Sequence, residues 1–406
     1  MATFFLIIIY LAFISLGLPD SLLGSAWPVM SLDLNVSLGT AGIISMVIAG
    51  NTIVSSLLSG TVLQRFGTGK VTLVSCILTA GALFGFAWSP SLIWLVIFAI
   101  PLGIGAGSVD AGLNNYVAIH YKAHHMSWLH CFWGVGATLG PFIMAASISG
   151  DNLWRQGYLV VAGIQVILVI ILFVTLPLWD RVAKRNHDIN IEAEDELINQ
   201  ELEQLSENTK PWRIKGVKLA MVTFLFYSGI EASMGLWGSS FLVNIKNLPA
   251  ATAAQWVSWF FIGITVGRMI TGFITFKVSS RMLIRYGQLI ALFGTVLLVL
   301  PFPPILSLVG FTIVGLGLAP IFPCMLHETP VRFGKKKAQS IMGFQMAAAY
   351  TGSTLIPPFL GLLATNTTIS IFPWFIIMFA IVMLLCTEKL NHFLKKLHVG
   401  IRESIR

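Results

Sequence analysis

Gly103–Tyr116 reads GIGAGSVDAGLNNY, inside an apolar run of roughly 92–119. About 20 apolar residues suffice to cross the hydrocarbon core of a bilayer. This stretch therefore reads as part of a membrane helix, yet it carries Asp110, Asn114 and Asn115. An ionised Asp at the centre of such a helix costs roughly 3 kcal/mol on insertion scales, so it faces protein or a watery cavity rather than lipid. Asp110 and Asn114 are four residues apart and share one helix face. The glycines before them let another helix approach closely. Two readings follow. In one, Asp110 takes up and releases a proton while Asn114 and Asn115 meet a polar solute. In the other, the polar pair only joins helices.

The rest of the composition agrees with a membrane protein. Hydrophobic residues make up 56% and charged residues 10%, against about 25% charged in soluble domains. Mean hydropathy is +0.84. The sequence predicts twelve spans, at roughly 4–30, 40–62, 70–88, 92–119, 127–149, 156–178, 217–244, 254–276, 284–302, 305–327, 339–364 and 370–388. The first apolar run, Phe4–Phe13, has no preceding Lys or Arg, so it reads as a retained helix rather than a cleaved signal. Pro19 predicts a kink in that span, and Pro320 with Pro323 predict a break in the tenth. Of the 25 basic residues, all but Arg155, Lys246 and Arg268 fall on one side of the membrane when the spans alternate. The positive-inside rule makes that side cytoplasmic and puts both termini there. A cell inner (plasma) membrane is the expected location. The net charge of +8 thus reflects orientation and points to no nucleic-acid partner.

Polar residues about 180–216 separate two apolar halves, and their acidic core (188–208) reads as a loose helix or disorder. The halves echo each other at an offset of about 212 residues. GNTIVSSLLSGTVLQRFG (50–67) parallels GITVGRMITGFITFKVSS (263–280), and PLGIGAGSVDAGL (101–113) parallels IVGLGLAPIFPCM (313–325). A parallel six-plus-six repeat resembles the major facilitator superfamily. The loop GTVLQRFGTGK (60–70) resembles that superfamily's cytoplasmic signature, with Gln64 where the family has Asp. It fails as a nucleotide loop because Val71 follows Lys70 and position 64 is not glycine.

Three passages resemble the fucose/glucose proton-symporter family: ISLGLPDSLLGSAWP (14–28), GSVDAGLNNYVAIHY (107–121) and FLFYSGIEASMGLWGSSFL (224–242). The resemblance implies an all-α membrane protein of twelve transmembrane helices in two pseudo-symmetric six-helix bundles. The implied boundaries are an N-terminal bundle at 1–179, a central loop at 180–216, a C-terminal bundle at 217–388 and a basic amphipathic tail at 389–406. It also implies proton coupling at Asp110 and Asp20, and a solute contact at Glu231.

Residue chemistry supplies further solute candidates. Tyr227 stands at i−4 from Glu231, and Trp27 shares a face of the first span with Asp20. His130 and Trp133 lie three apart in the fifth span, and the eleventh span offers Gln345. Carboxylates only accept hydrogen bonds, which suits the donating hydroxyls of a sugar. Buried, each of these residues reads equally as a satisfied helix contact; for Glu231 the partner in that reading is Arg268. GVGATLGP (134–141) is similar to a drug/proton antiporter signature. The histidines at 124, 125 and 130 have no carboxylates at ligand spacing, so no metal or other cofactor is expected. No nucleophile–base pair or phosphate loop survives inspection, so an enzyme is not expected. The expected function is proton-coupled uptake of a monosaccharide or related polyol by a monomer in a lipid bilayer, with sodium as the other possible coupling ion. Proton-driven efflux of an amphipathic compound or glycolipid, or a non-transporting sugar sensor, are the alternatives.

Overall fold

A computed structural model describes residues 2–120, 123–149, 154–187, 214, 216–275, 277–301, 303–333 and 335–405. They form fourteen α-helices and no strand. In the first half these are α1 (Ala2–Asp20), α2 (Leu22–Asp33), α3 (Thr40–Phe66), α4 (Thr68–Trp88), α5 (Leu92–His120), α6 (Ala123–Ile148) and α7 (Trp154–His187). In the second they are α8 (Val217–Lys246), α9 (Ala250–Ile274), α10 (Ser280–Val299), α11 (Ile305–Leu318), α12 (Ile321–Phe333), α13 (Lys335–Asn366) and α14 (Phe372–Ile405). Twelve segments are long and apolar enough to cross a bilayer. Helices α1 and α2 share the first (Leu6–Asp33), and α11 and α12 share the tenth (Ile305–Phe333). All twelve expected spans are found, with edges moved by a few residues. Most of the central loop lies outside the described residues, as do the side chains of the tail beyond Leu394.

Prolines explain both broken spans. Pro19 has no N–H to give the carbonyl of Ser15, and α1 stops one residue later. In hydrocarbon a freed carbonyl needs another donor. Gln165 of α7 supplies it: Nε2 donates to the Ser15 carbonyl at 2.6 Å, while Oε1 accepts from the Ser15 hydroxyl at 2.9 Å. Gln165 is fully buried, so this pair is shielded from competition with water. The tenth span breaks at Ala319–Pro320, between α11 and α12. The repeat equates the first span with the seventh and the fourth with the tenth. Each pair has one broken and one continuous member, because the prolines differ: α5 and α8 run through.

Small residues set the helix spacing. Helix α5 lies between α3 and α4. A Cβ on Gly103 would fall 2.2 Å from the Ile48 carbonyl oxygen of α3, and one on Gly107 would fall 2.3 Å from that of Thr52. The hydroxyls of Thr52 and Ser55 donate across the same seam to the carbonyls of Gly103 and Ile104, at 3.2 and 2.6 Å. The glycines that precede Asp110 thus fix its helix against two neighbours, as small-residue packing in membranes predicts.

The two bundles meet along α2–α8, α3–α13 and α6–α9. The first two seams close at the end that carries the 33–40 and 366–369 connections. A Cβ on Gly24 would lie 2.1 Å from the Gly235 carbonyl oxygen. At the same end the Gly39 amide donates to Thr365 Oγ1 at 2.9 Å, and the Ser239 hydroxyl donates to the Ser25 carbonyl at 3.4 Å. Residues 21–28 are all buried there, whereas Asp20, just beyond, is exposed in mid-span. The space between the bundles therefore opens away from the closed end.

Gln165→Leu should lower the thermal stability of the detergent-solubilised protein by about 1–3 kcal/mol, the cost of an unsatisfied buried carbonyl. Pro19→Ala in that background restores an N–H to Ser15 and should recover part of the loss. A double variant no more stable than Gln165→Leu alone would contradict the assignment.

Candidate functional site

The carboxylates of the sequence converge on the space between the bundles. Asp20 is the last residue of α1, set there by the Pro19 break. Its Oδ2 accepts the indole N–H of Trp133 on α6 at 2.8 Å. Helices α1 and α6 touch closely enough for this: the chain at Gly17 passes against the Trp133 carbonyl, leaving no room for a Cβ. Trp133 also faces the second bundle. Its ring lies 6.4 Å from that of Phe261, edge to face, and the Arg268 guanidinium carbon is 5.4 Å from its centroid.

Arg268 belongs to α9. Its Nη2 donates to Glu231 Oε1 and to the Tyr227 hydroxyl of α8, both at 3.3 Å. Tyr227 and Glu231 are one helical turn apart and so present both acceptors on one face. The side chains of Arg268 and Glu231 are 14% and 19% exposed, so the pair sits at the edge of the cavity rather than sealed in protein. A continuous chain of contacts thus runs from Asp20 through Trp133 and Arg268 to Glu231 and Tyr227, crossing from one bundle to the other.

Asp110, half-buried on α5, accepts the side-chain N–H of Asn114 at 2.8 Å. Asp110 is coupled by charge to Asp20 in its own bundle and to Tyr350 of α13 in the other. His130 is half-buried one turn from Trp133, with its ring 6.0 Å from Phe13 and within the field of Arg268. The Asn115 side chain lies outside the described residues.

Two sequence candidates lie elsewhere. Trp27 is fully buried and gives its indole N–H to the Leu38 carbonyl at 2.8 Å. Gln345 is buried with its Oε1 accepting from Thr329 at 2.9 Å. Each has packed protein around it and offers nothing to the cavity, so burial removes both from the site proposed here. Two residues join it instead. Arg268 is legible as a basic residue deep inside the eighth apolar span. Tyr350 carried no signal of its own, because an aromatic in a membrane helix is ordinary. No group of three or more His, Cys, Asp or Glu able to hold a metal occurs among the described residues.

The sequence profile of the Major Facilitator Superfamily matches residues 9–357. The chain belongs to the Major Facilitator Superfamily. It is a multi-pass membrane transporter and not an enzyme. Among its relatives, a glucose/mannose transporter of Bacillus subtilis, GlcP, is 23% identical over 372 residues, covering 89% of this chain and 88% of the relative. A 4-hydroxybenzoate transporter of Acinetobacter baylyi, PcaK, is 25% identical over 165 residues, covering 40% of this chain and 36% of the relative. The crystal structure of a nucleoside transporter, NupG, superposes with a TM-score of 0.73 at 14% identity, covering 95% of this chain and 98% of that one. These likenesses agree with the superfamily fold of two six-helix bundles.

The Glu231–Arg268 contact predicts that the two side chains are energetically coupled. Removing one partner of a buried pair costs about 3–5 kcal/mol, whereas removing both costs far less. This pair is partly exposed, so the loss should fall toward the lower end of that range. Glu231→Gln and Arg268→Gln should each lower the melting temperature more than the double variant does. Additive losses would mean that the two side chains do not interact.

Proposed function

We propose that the chain takes up a monosaccharide or related polyol together with a proton. The observation that carries this reading is the charge set between the bundles: Asp20, Asp110 and Glu231 with one cation, Arg268, already matched to Glu231. Two carboxylates are left over. Until its protons load, a cavity with surplus acid disfavours the entry of an organic anion such as 4-hydroxybenzoate and favours a neutral solute. Hydroxyls suit it best, since carboxylates accept what hydroxyls donate. The likeness to a glucose/mannose transporter points the same way. An amphipathic efflux substrate needs largely apolar walls, and the acids, amide and imidazole here are unsuited to it.

In this reading Asp110 and Asp20 carry the coupling proton. Both are neutral when proton and solute are loaded, and the bundles at 1–179 and 217–388 then rock as bodies about the site. Asn114, His130, Trp133 and Glu231 contact the solute, while Tyr227, as fully buried as Trp27 and Gln345, serves the site by holding Arg268. Asn115, one residue further along the same helix, is proposed with them on sequence grounds alone. The basic-residue asymmetry assigns the closed end to the outside, so the described conformation is open to the cytoplasm.

Proteoliposomes containing the purified monomer provide the test. An inward proton gradient should drive accumulation of labelled glucose or mannose, and a sodium gradient alone should not. Asp110→Asn should reduce proton-driven accumulation by about a hundredfold or more while counterflow exchange continues, because only the coupled step needs the titrating group. Accumulation by Asp110→Asn at the wild-type level would reject this residue as the coupling group.

A further inference from the structure

Trp133 has an arrangement that solute contact alone does not require. Its N–H is committed to Asp20 in its own bundle, and one face of its ring is turned toward Arg268 in the other. Arg268 in turn is loosely held. A single nitrogen serves both Tyr227 and Glu231 at 3.3 Å, instead of the short two-pronged fork that Arg and carboxylate adopt when geometry allows. A guanidinium within about 6 Å of an indole face is attracted by the negative face of the ring. Arg268 is thus shared between Glu231 in the second bundle and Trp133 in the first.

We propose that Trp133 is the positioning residue that carries the protonation state of Asp20 to the Arg268–Glu231 pair. When Asp20 is ionised, its bond from the indole is charge-assisted and roughly twice as strong as a neutral one. The ring is then pinned against α1 with its face presented to Arg268. When Asp20 takes a proton, the bond weakens and the indole is released. Arg268 then loses its contact across the bundles and closes on Glu231. The proton event in the first bundle is read in the second without any direct contact between Asp20 and Glu231. Among the described residues, the ionisable groups that act on Asp20 are Asp110 from α5 and Glu231 from α8, while Arg268 from α9 lies over the Trp133 ring and His130 of α6 lies within the field of Arg268. Asp110 and Glu231 modulate Asp20 by charge, but neither is bonded to it among the described contacts. This relay rests on the proton-coupled reading of the same site.

Two measurements test it separately from that reading. The first is the pH titration of intrinsic fluorescence in purified protein, which needs no solute. The wild type should show a pH-dependent change in indole emission. The change should vanish in Trp133→Phe and also in Asp20→Asn, and persist in Trp128→Phe, an exposed tryptophan at the far side of α6. The second is equilibrium binding of radiolabelled glucose or mannose across pH. Wild-type affinity should change about tenfold, the scale of a typical coupling energy, and the change should shrink to about twofold in Trp133→Phe. Retention of the fluorescence change in Asp20→Asn would overturn the relay, even if Trp133→Phe fails to fold. An affinity profile in Trp133→Phe parallel to the wild type would also overturn it. Binding of neither sugar by the wild type would count against the proposed function, while the fluorescence titration would still decide the relay.

Discussion

A carboxylate placed at membrane depth must be given water, a donor or a cation, and that requirement shapes this protein more than any other. Three acids meet it in three ways. Asp110 takes the amide of Asn114, Asp20 takes the indole of Trp133, and Glu231 takes Arg268. Each solution needs its helix at a fixed depth and rotation. The close seams through Gly103, Gly107 and Gly17 supply that placement, because backbones in contact leave little freedom to rotate. The broken first span follows from the same need. It ends a helix beside Asp20, and Gln165 repairs the carbonyl that the break exposes.

The two bundles share a fold but divide the chemistry. Among the described residues, two of the three cavity acids come from the first bundle, and the one cavity cation comes from the second. Away from the cavity, Glu328 serves Arg281 and Arg332, and Glu388 serves Arg285, joining α10, α12 and α14. The first bundle has its own staple at the opposite end, where Asp33 accepts from Arg155 and Trp154. Among the described residues, these acids are paired with arginines, whereas Asp20 and Asp110, between the bundles, have neutral donors, Trp133 and Asn114.

The fold was legible because hydropathy reports burial in lipid directly. Every expected span appears, and the prolines located both breaks. The candidate site was legible only in part, for a physical reason. An acid inside a span is expensive and therefore informative, which is why Asp20, Asp110 and Glu231 could be singled out. A Trp, Gln or Tyr costs little in the same place, so its sequence position says nothing about which way it points. Trp27 and Gln345 turn into packed protein, while Trp133 turns its N–H to Asp20. Arg268 is as costly in that place as the acids, but a cation there also reads as a mere counter-charge to Glu231, which hides its reach to Trp133.

The contact between Gly24 and Gly235 has a kinetic consequence. At most helix crossings side chains interlock, and separation needs rotamers to change together. Here one backbone rests on another, with no side chain from either residue between them. In the alternating-access cycle proposed for this chain, that crossing parts without any rearrangement of its own. Its contribution to the barrier is the loss of dispersion contacts and of the long Ser239–Ser25 hydrogen bond beside it. In that cycle this glycine seam adds little to the barrier beside the charged groups deeper in the passage.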